Sequence, residues 1–253
     1  MPDVLWDDEI ITADGRRVKD PNAKAEQKPT VSPKVQKILD ELDNAGVEYV
    51  QVKKLAKART EDEIIAAIAG GDKTTGSCAS AALAYVGQKC GFDVLDFRGG
   101  ESRKFFAGKM NKVRTFRALG AKIMEETSAK TNLTNGKRIL ARMEKGKEYY
   151  LAVGRHAAIV RLSDAGKMQY LELQSDGRSG YDNGWHYFSL SDTGRTLKNR
   201  FRCTSTGYTN PVNYGAYMTD IADFAQSDAF SEVLAYINTN NDKQKKGDGG
   251  IVR

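Results

Sequence analysis

The chain contains few of the residues from which metal sites and disulfide frameworks are built. It has 3 cysteines and 2 histidines among 253 residues. Cys78, Cys90 and Cys203 are too scattered for a disulfide scaffold, and they lack the paired short spacing of a zinc site. We therefore expect no metal or other cofactor, and the simplest inference is a reducing compartment.

Long hydrophobic runs are also missing. No apolar stretch approaches the roughly 20 residues that span a bilayer, and the mean hydropathy is −0.55 with 40% apolar residues. The N-terminus has neither a basic start nor an apolar core, so no classical secretion signal is expected. This composition predicts a globular domain that is long enough to bury a core and carries polar extensions.

Positive charge is concentrated in one segment. The net charge of the chain is +6, whereas residues 101–150 contain 13 Lys or Arg against 5 Asp or Glu. The ordinary interpretation is a solvated basic face. The alternative is a surface that binds nucleic acid or another polyanion.

Helical and strand-like patterns occupy different parts of the chain. Apolar residues recur at helical spacing after Ser32-Pro33, after Thr60 and from Cys78, and strand-like alternation dominates from Tyr149 to Leu190. Further helices are predicted over much of 102–127, and over 134–145, 217–224 and 229–237. This order predicts an α+β fold. The predicted organisation is an extended or flexible tail over 1–32, a main domain over 33–203, a C-terminal helical extension over 204–238 and a disordered tail over 239–253.

Cys78 is the residue whose position points most directly to chemistry. It follows Ser77, a natural helix N-cap, and opens an alanine-rich helical run. On the first turn of a helix, free N–H groups and the positive end of the helix dipole favour the thiolate. Cys90 lies on the apolar stripe of the same helix and is interpreted as a core residue.

A base and an acid follow Cys78 on predicted strands. His156 opens one apolar strand, and residues 170–174 (Tyr-Leu-Glu-Leu-Gln) form the next. Side chains alternate on a strand, so Glu172 and Gln174 share one face, and a turn centred on residues 164–166 places His156 across from positions 172 to 174. The other histidine, His186, is interpreted as structural.

Three short blocks carry a family resemblance. Residues 75–78 (Thr-Gly-Ser-Cys), 154–160 (Gly-Arg-His-Ala-Ala-Ile-Val) and 171–174 (Leu-Glu-Leu-Gln) resemble the three blocks of the papain-like cysteine peptidase and amidase superfamily. The resemblance is closest to papain-fold toxin domains of the glutamine deamidase type and to related domains of phage minor head proteins. It covers residues 75–190, about half the chain, and implies a papain-like α+β fold with the cysteine at a helix start.

The resemblance also implies roles for individual residues. Cys78 would attack a carboxamide or acyl carbon, and His156 would take the thiol proton and return it to the leaving amine. Glu172 would orient the imidazole, and Gln174 would assist it or contact substrate. The backbone N–H of Cys78 would donate to the oxyanion.

The chain departs from the family pattern at a few positions. Arg155 interrupts the usual Gly-His pair, and Glu172 replaces the usual aspartate. Asp72 stands where peptidases of this superfamily often place an oxyanion-stabilising glutamine, which argues against ordinary proteolysis. With Ser77 and Gln174, Asp72 completes the candidate substrate-binding or oxyanion group.

Two functions of different classes follow. The first is a thiol hydrolase or deamidase of effector, toxin or phage-associated type that acts on a protein or peptide substrate. The second is a non-enzymatic virion or polyanion-binding protein that retains a papain-like fold. The resemblance implies a location in the bacterial cytoplasm, or in the virion or host cytoplasm if the protein is encoded by a phage.

Overall fold

The computed structural model describes residues 9–11, 17–19, 31–69, 77–94, 100–174, 182–189, 192–227 and 229–238. The chain divides into two compact units, Met1–Thr30 and Val31–Arg253. In the first unit, β1 (Glu9–Ile11) and β2 (Arg17–Lys19) form an antiparallel pair. All remaining described elements lie in the second unit.

The helices of the second unit begin where the sequence carries capping residues. Ser32 caps the first of them by accepting a hydrogen bond from the N–H of Val35, and Thr60 and Glu63 form the capping box of the second. The described helices are α1 (Pro33–Asn44), α2 (Glu61–Ile68), α3 (Cys78–Lys89), α4 (Gly100–Ala107), α5 (Lys109–Ala118), α6 (Asn132–Leu140), α7 (Thr193–Asn199), α8 (Pro211–Tyr214) and α9 (Phe230–Leu234), with a 3-10 helix over Ile221–Gln226. None of these helices has the length and apolar character that crossing a bilayer requires.

The strands of the second unit form two antiparallel sheets. They are β3 (Lys53–Lys54), β4 (Phe92–Asp93), β5 (Ile123–Glu126), β6 (Glu148–Val153), β7 (His156–Leu162), β8 (Met168–Glu172), β9 (Gly184–Tyr187) and β10 (Ala216–Asp220). Strands β3 and β4 pair with each other, and the larger sheet has the order β5-β10-β6-β7-β8-β9. Neighbouring strands in both sheets are antiparallel. The predicted α+β class is confirmed.

Two predicted helices are wrong at particular segments. Residues 216–220 form β10 and not a helix, because Ala216 and Met218 pack on one side of the sheet while Tyr217 alternates with them. Residues 123–126 form β5, because Gly120 has a φ of +85° and ends the preceding helical segment. Strand β10 lies between β5 and β6, so the predicted C-terminal extension belongs to the same compact unit as the main domain.

The larger sheet carries apolar side chains on both faces. One face packs against α3 and presents side chains including Tyr150, Ala152, Ala157, Ile159, Leu171 and Leu173. The other face packs against α6 and α7 and presents side chains including Tyr149, Leu151, Val153, Ala158, Val160 and Tyr170. We call these the α3 face and the α7 face. Helix α3 is buried from Ala79 to Gln88, and its small alanines allow this close approach to the sheet.

Gly154 brings the β6–β7 turn against the chain that follows α7. It has a φ of +59°, and a β-carbon built there would lie 2.2 Å from the carbonyl oxygen of Phe201. The next residue, Arg155, donates its N–H to that same carbonyl at 2.9 Å. The Gly-Arg turn therefore fixes the start of β7, where His156 lies.

Replacement of Gly154 by alanine is expected to destabilise the protein more than replacement of Gly146. Both glycines have a positive φ. A β-carbon added at Gly146 would meet no atom within 4 Å, so Gly146→Ala costs only the free energy of holding alanine in a left-handed backbone conformation, roughly 1 kcal/mol. The Gly154→Ala change adds a backbone collision, worth roughly a further 1–3 kcal/mol. Urea unfolding of both variants measures the difference, and equal losses of stability would show that the close approach is not as described.

Candidate active site

Cys78 is the first residue of α3 and is half-buried. Ser77 precedes the helix as predicted, but its backbone is already helical and its side chain makes no capping bond. Its hydroxyl instead accepts a hydrogen bond from the side-chain amide of Gln174 at 2.5 Å. The N–H groups of the first turn of α3 therefore receive no cap from Ser77, and the turn presents the positive end of the helix dipole beside the thiol.

A cavity opens where β7 and β8 stop pairing. The ladder between them joins Val160 to Tyr170 and continues toward the turn. The same register extended the other way would pair Ala158 with Glu172 and His156 with Gln174. These four residues instead line a small cavity together with Cys78, two alanines of α3, and Ala157, Leu171 and Leu173. The divergence of the two strands thus brings the predicted nucleophile, base and acid to one space.

The α3 and α7 faces contribute different members of the site. His156 pairs with Val153 across β6 and β7, which places its side chain on the α7 face. There its ring meets Phe201 edge to face, with 5.1 Å between the ring centroids. Cys78 packs against the core on the α3 face. The space at the gap between β7 and β8 is therefore lined by both the Cys78 thiol and the His156 imidazole.

The environment of His156 keeps the imidazole neutral. Burial and, to a smaller extent, the positive charge of Arg200 lower the pKa of His156 from its ordinary value to about 3. The ring is thus unprotonated near neutral pH and can accept a proton.

Glu172 is 1% exposed and forms an ion pair with Arg200, which caps the end of α7. One carboxylate oxygen contacts the guanidinium Nε, yet neither atom makes an aligned hydrogen bond. The other oxygen accepts the backbone N–H of Gln174 at 2.9 Å. The partner of Glu172 is therefore a cation that sequence reasoning missed, since Arg200 lies in no recognisable motif and is brought in by the packing of α7.

The remaining cysteines and the second histidine lie in other surroundings. Cys203 is buried in the α7-face core and Cys90 packs against the α3-face core, as predicted for Cys90. Burial raises the pKa of Cys90 to about 11 and that of Cys203 to about 12. His186 stacks on Tyr170, with 5.6 Å between the ring centroids. Asp72 lies outside the described residues.

Many basic side chains of residues 101–150 are engaged within the protein. Arg114 makes a two-pronged contact with Glu41, and Arg117 pairs with Glu125. Other ion pairs in or from this segment include Lys104 with Glu101, Lys137 with Asp192, Arg142 with Glu126, and Lys147 with Glu144. Lys112 is buried. These internal partners leave less free positive charge than the sequence count indicates.

Comparisons with protein-family models, with curated proteins and with solved structures gave no match. The family resemblance therefore continues to rest on the three blocks around Cys78, His156 and Glu172. Within the described part of the chain, no group of three or more His, Cys, Asp or Glu side chains is placed to hold a metal ion.

His156 is expected to make the protein less stable in mild acid. Its pKa is lowered in the folded state to about 3, whereas its ordinary value is about 6.5. Between these two pH values the unfolded chain therefore binds more protons than the folded protein does. The free energy of unfolding should then fall as pH drops below 6.5, by at most about 1.4 kcal/mol per pH unit from this residue. Urea unfolding between pH 7 and 5 should show a shallower decline for His156→Asn than for wild type. His186→Asn is the control, and an unchanged slope in His156→Asn would contradict the lowered pKa of His156.

Removal of Arg200 alone is expected to cost more stability than removal of the whole ion pair. Arg200→Met leaves the carboxylate of Glu172 buried without its cation, which costs about 3 kcal/mol or more. The double variant Glu172→Met with Arg200→Met removes both charges and should recover a large part of that loss. Unfolding free energies of the single and double variants at pH 7 test the pair, and strictly additive losses would argue against it.

Proposed function

We propose that the protein is a papain-like thiol hydrolase or deamidase that acts on an amide-type carbonyl, in a peptide or a glutamine side chain. The observation that carries the proposal is the shared cavity. A half-buried cysteine at a helix start and a neutral histidine line the same space between β7 and β8. A thiol nucleophile with a base nearby is the arrangement that acyl transfer requires.

The proposed reaction proceeds in two stages. His156 takes the proton of the Cys78 thiol as the sulfur attacks the carbonyl carbon, and the N–H of Cys78 donates to the oxygen that becomes negative. His156 then gives the proton to the leaving nitrogen, so that ammonia or an amine departs and a thioester remains. Water attacks the thioester with His156 again as base, which releases the carboxylic acid and restores the thiol.

The other residues of the cavity support this chemistry in different ways. Gln174 links the end of β8 to Ser77, so it holds the start of α3 at the cavity. Glu172 and Arg200 form a buried charge pair on the α7 face. We infer that the pair positions the His156 side of the cavity and lowers the basicity of the imidazole, so that the returned proton leaves it readily.

The reactivity of Cys78 gives the first test. The thiolate is the species that iodoacetamide alkylates, and the raised pKa values of Cys90 and Cys203 leave almost none of it at pH 7. Peptide mass spectrometry should therefore show Cys78 labelled at least roughly a hundredfold faster than either. Equal and slow labelling of all three cysteines would refute the proposal.

The catalytic step gives the second test. Release of ammonia or free amine should be followed with glutamine-containing peptides and with fluorogenic peptide amides. Cys78→Ala and His156→Ala should each abolish the release, because they remove nucleophile and base. Cys90→Ala is the matched control, and it should retain full activity.

A further inference from the structure

Lys112 is a buried cation on α5. It is 5% exposed, and its ammonium donates to the carbonyl oxygens of Phe106 at 2.8 Å and Ala107 at 3.0 Å, where α4 ends. These bonds cap α4. They do not neutralise the charge, and among the described residues no Asp or Glu lines the small cavity in which Lys112 lies.

Tyr150 connects this second cavity to Cys78. Its side chain lies on the α3 face and lines the cavity with Lys112. Its hydroxyl donates to the carbonyl oxygen of Ala79 at 3.3 Å, one residue after Cys78. Charge on Cys78 accordingly acts on both neighbours, because it raises the pKa of Lys112 and that of Tyr150.

We propose that Lys112 is a positioning residue of the active site, whose buried ammonium stabilises negative charge on the Cys78 sulfur. This inference rests on the proposed function, because it gives a role to charge on Cys78. Lys112 acts through the thiolate and does not contact substrate.

Several groups near Cys78 do not supply a positive charge. His156 is neutral near pH 7, Tyr150 keeps its proton because burial raises its pKa, and Glu172 is balanced by Arg200. Lys112 is a cation whose charge couples to Cys78. A positive charge nearby lowers the pKa of a thiol, so that transfer of its proton to a weak base becomes more favourable.

The protonation of Lys112 sets the pH range of the effect. Burial lowers the pKa of Lys112 to about 8, charge on Cys78 opposes that shift, and Lys109 adds to it. The ammonium is thus charged below about pH 8 and loses its proton above. Its support of the thiolate is present at neutral pH and fades in alkaline solution.

Lys109 provides a matched control on the same helix. Its ammonium also caps backbone carbonyls, those of Val212 at 2.9 Å and Gly215 at 3.0 Å, and it lines the same cavity. Burial lowers the pKa of Lys109 to about 8 as well, but its charge couples to Cys203. Loss of Lys109 thus removes comparable structural bonds without removing the cation that acts on Cys78.

The pH profile of Cys78 alkylation tests the proposal. Iodoacetamide labelling of Cys78 is measured from pH 5 to 9 in wild type, Lys112→Met and Lys109→Met, each first checked for cooperative thermal unfolding. In Lys112→Met, we expect the pH midpoint of Cys78 alkylation to rise by about one unit or more, which makes the reaction roughly tenfold slower below the midpoint. In Lys109→Met, we expect the midpoint to be unchanged. An unchanged profile in Lys112→Met, with a fast wild-type Cys78, overturns the role of Lys112 and leaves the proposed function standing. A wild-type Cys78 no faster than Cys90 overturns both.

A reciprocal measurement does not depend on the folding of a Lys112 variant. The coupling between two charges acts equally on both, so removing the thiolate must lower the pKa of Lys112. Titration of the lysine ¹³Cε resonances by NMR in wild type and Cys78→Ser should show a lower midpoint for Lys112 and the same midpoint for Lys109. Identical Lys112 midpoints in the two proteins would overturn the proposal.

Discussion

The candidate site depends on the point at which β7 and β8 stop pairing. Beyond Val160 and Tyr170 the two strands separate, although β7 remains bonded to β6 and β8 to β9. Their outer neighbours therefore hold the strands in place while the space between them opens. Without that separation the sheet would be continuous, and it would lie as a closed layer between the α3-face cysteine and the α7-face histidine.

The electrostatics of the site follow from burial on both sides of this opening. Burial makes imidazolium unfavourable at His156 and makes charge on Glu172 acceptable only beside Arg200. Under the proposed mechanism, Cys78 becomes negative without a charged histidine beside it. The helix dipole of α3 and, as we propose, the ammonium of Lys112 supply positive potential there.

Local sequence patterns predicted much of the fold and part of the site. Capping residues such as Thr60 predicted helix starts, and period-two alternation predicted β7 and β8, because both signals act within a few residues. The pairing of Glu172 with Arg200 and the electrostatic coupling of Lys112 to Cys78 could not be predicted from local patterns. The first joins residues 28 positions apart along the chain, and the second joins residues 34 positions apart. The helix predicted over 217–224 is wrong over 217–220, because the apolar residues of that segment fit both the helical and the strand period. Its central place in the sheet decides between them.

The position of β10 has a consequence for how the chain reaches its folded state. This strand comes late in the sequence yet lies between β5 and β6, so neither of those strands gains its neighbour until about residue 220 has been synthesised. A nascent chain that ends earlier holds two unpaired strand edges and cannot close its central sheet. Closure of this sheet is therefore expected to await synthesis of β10, with slow, non-local pairing as its final ordering step.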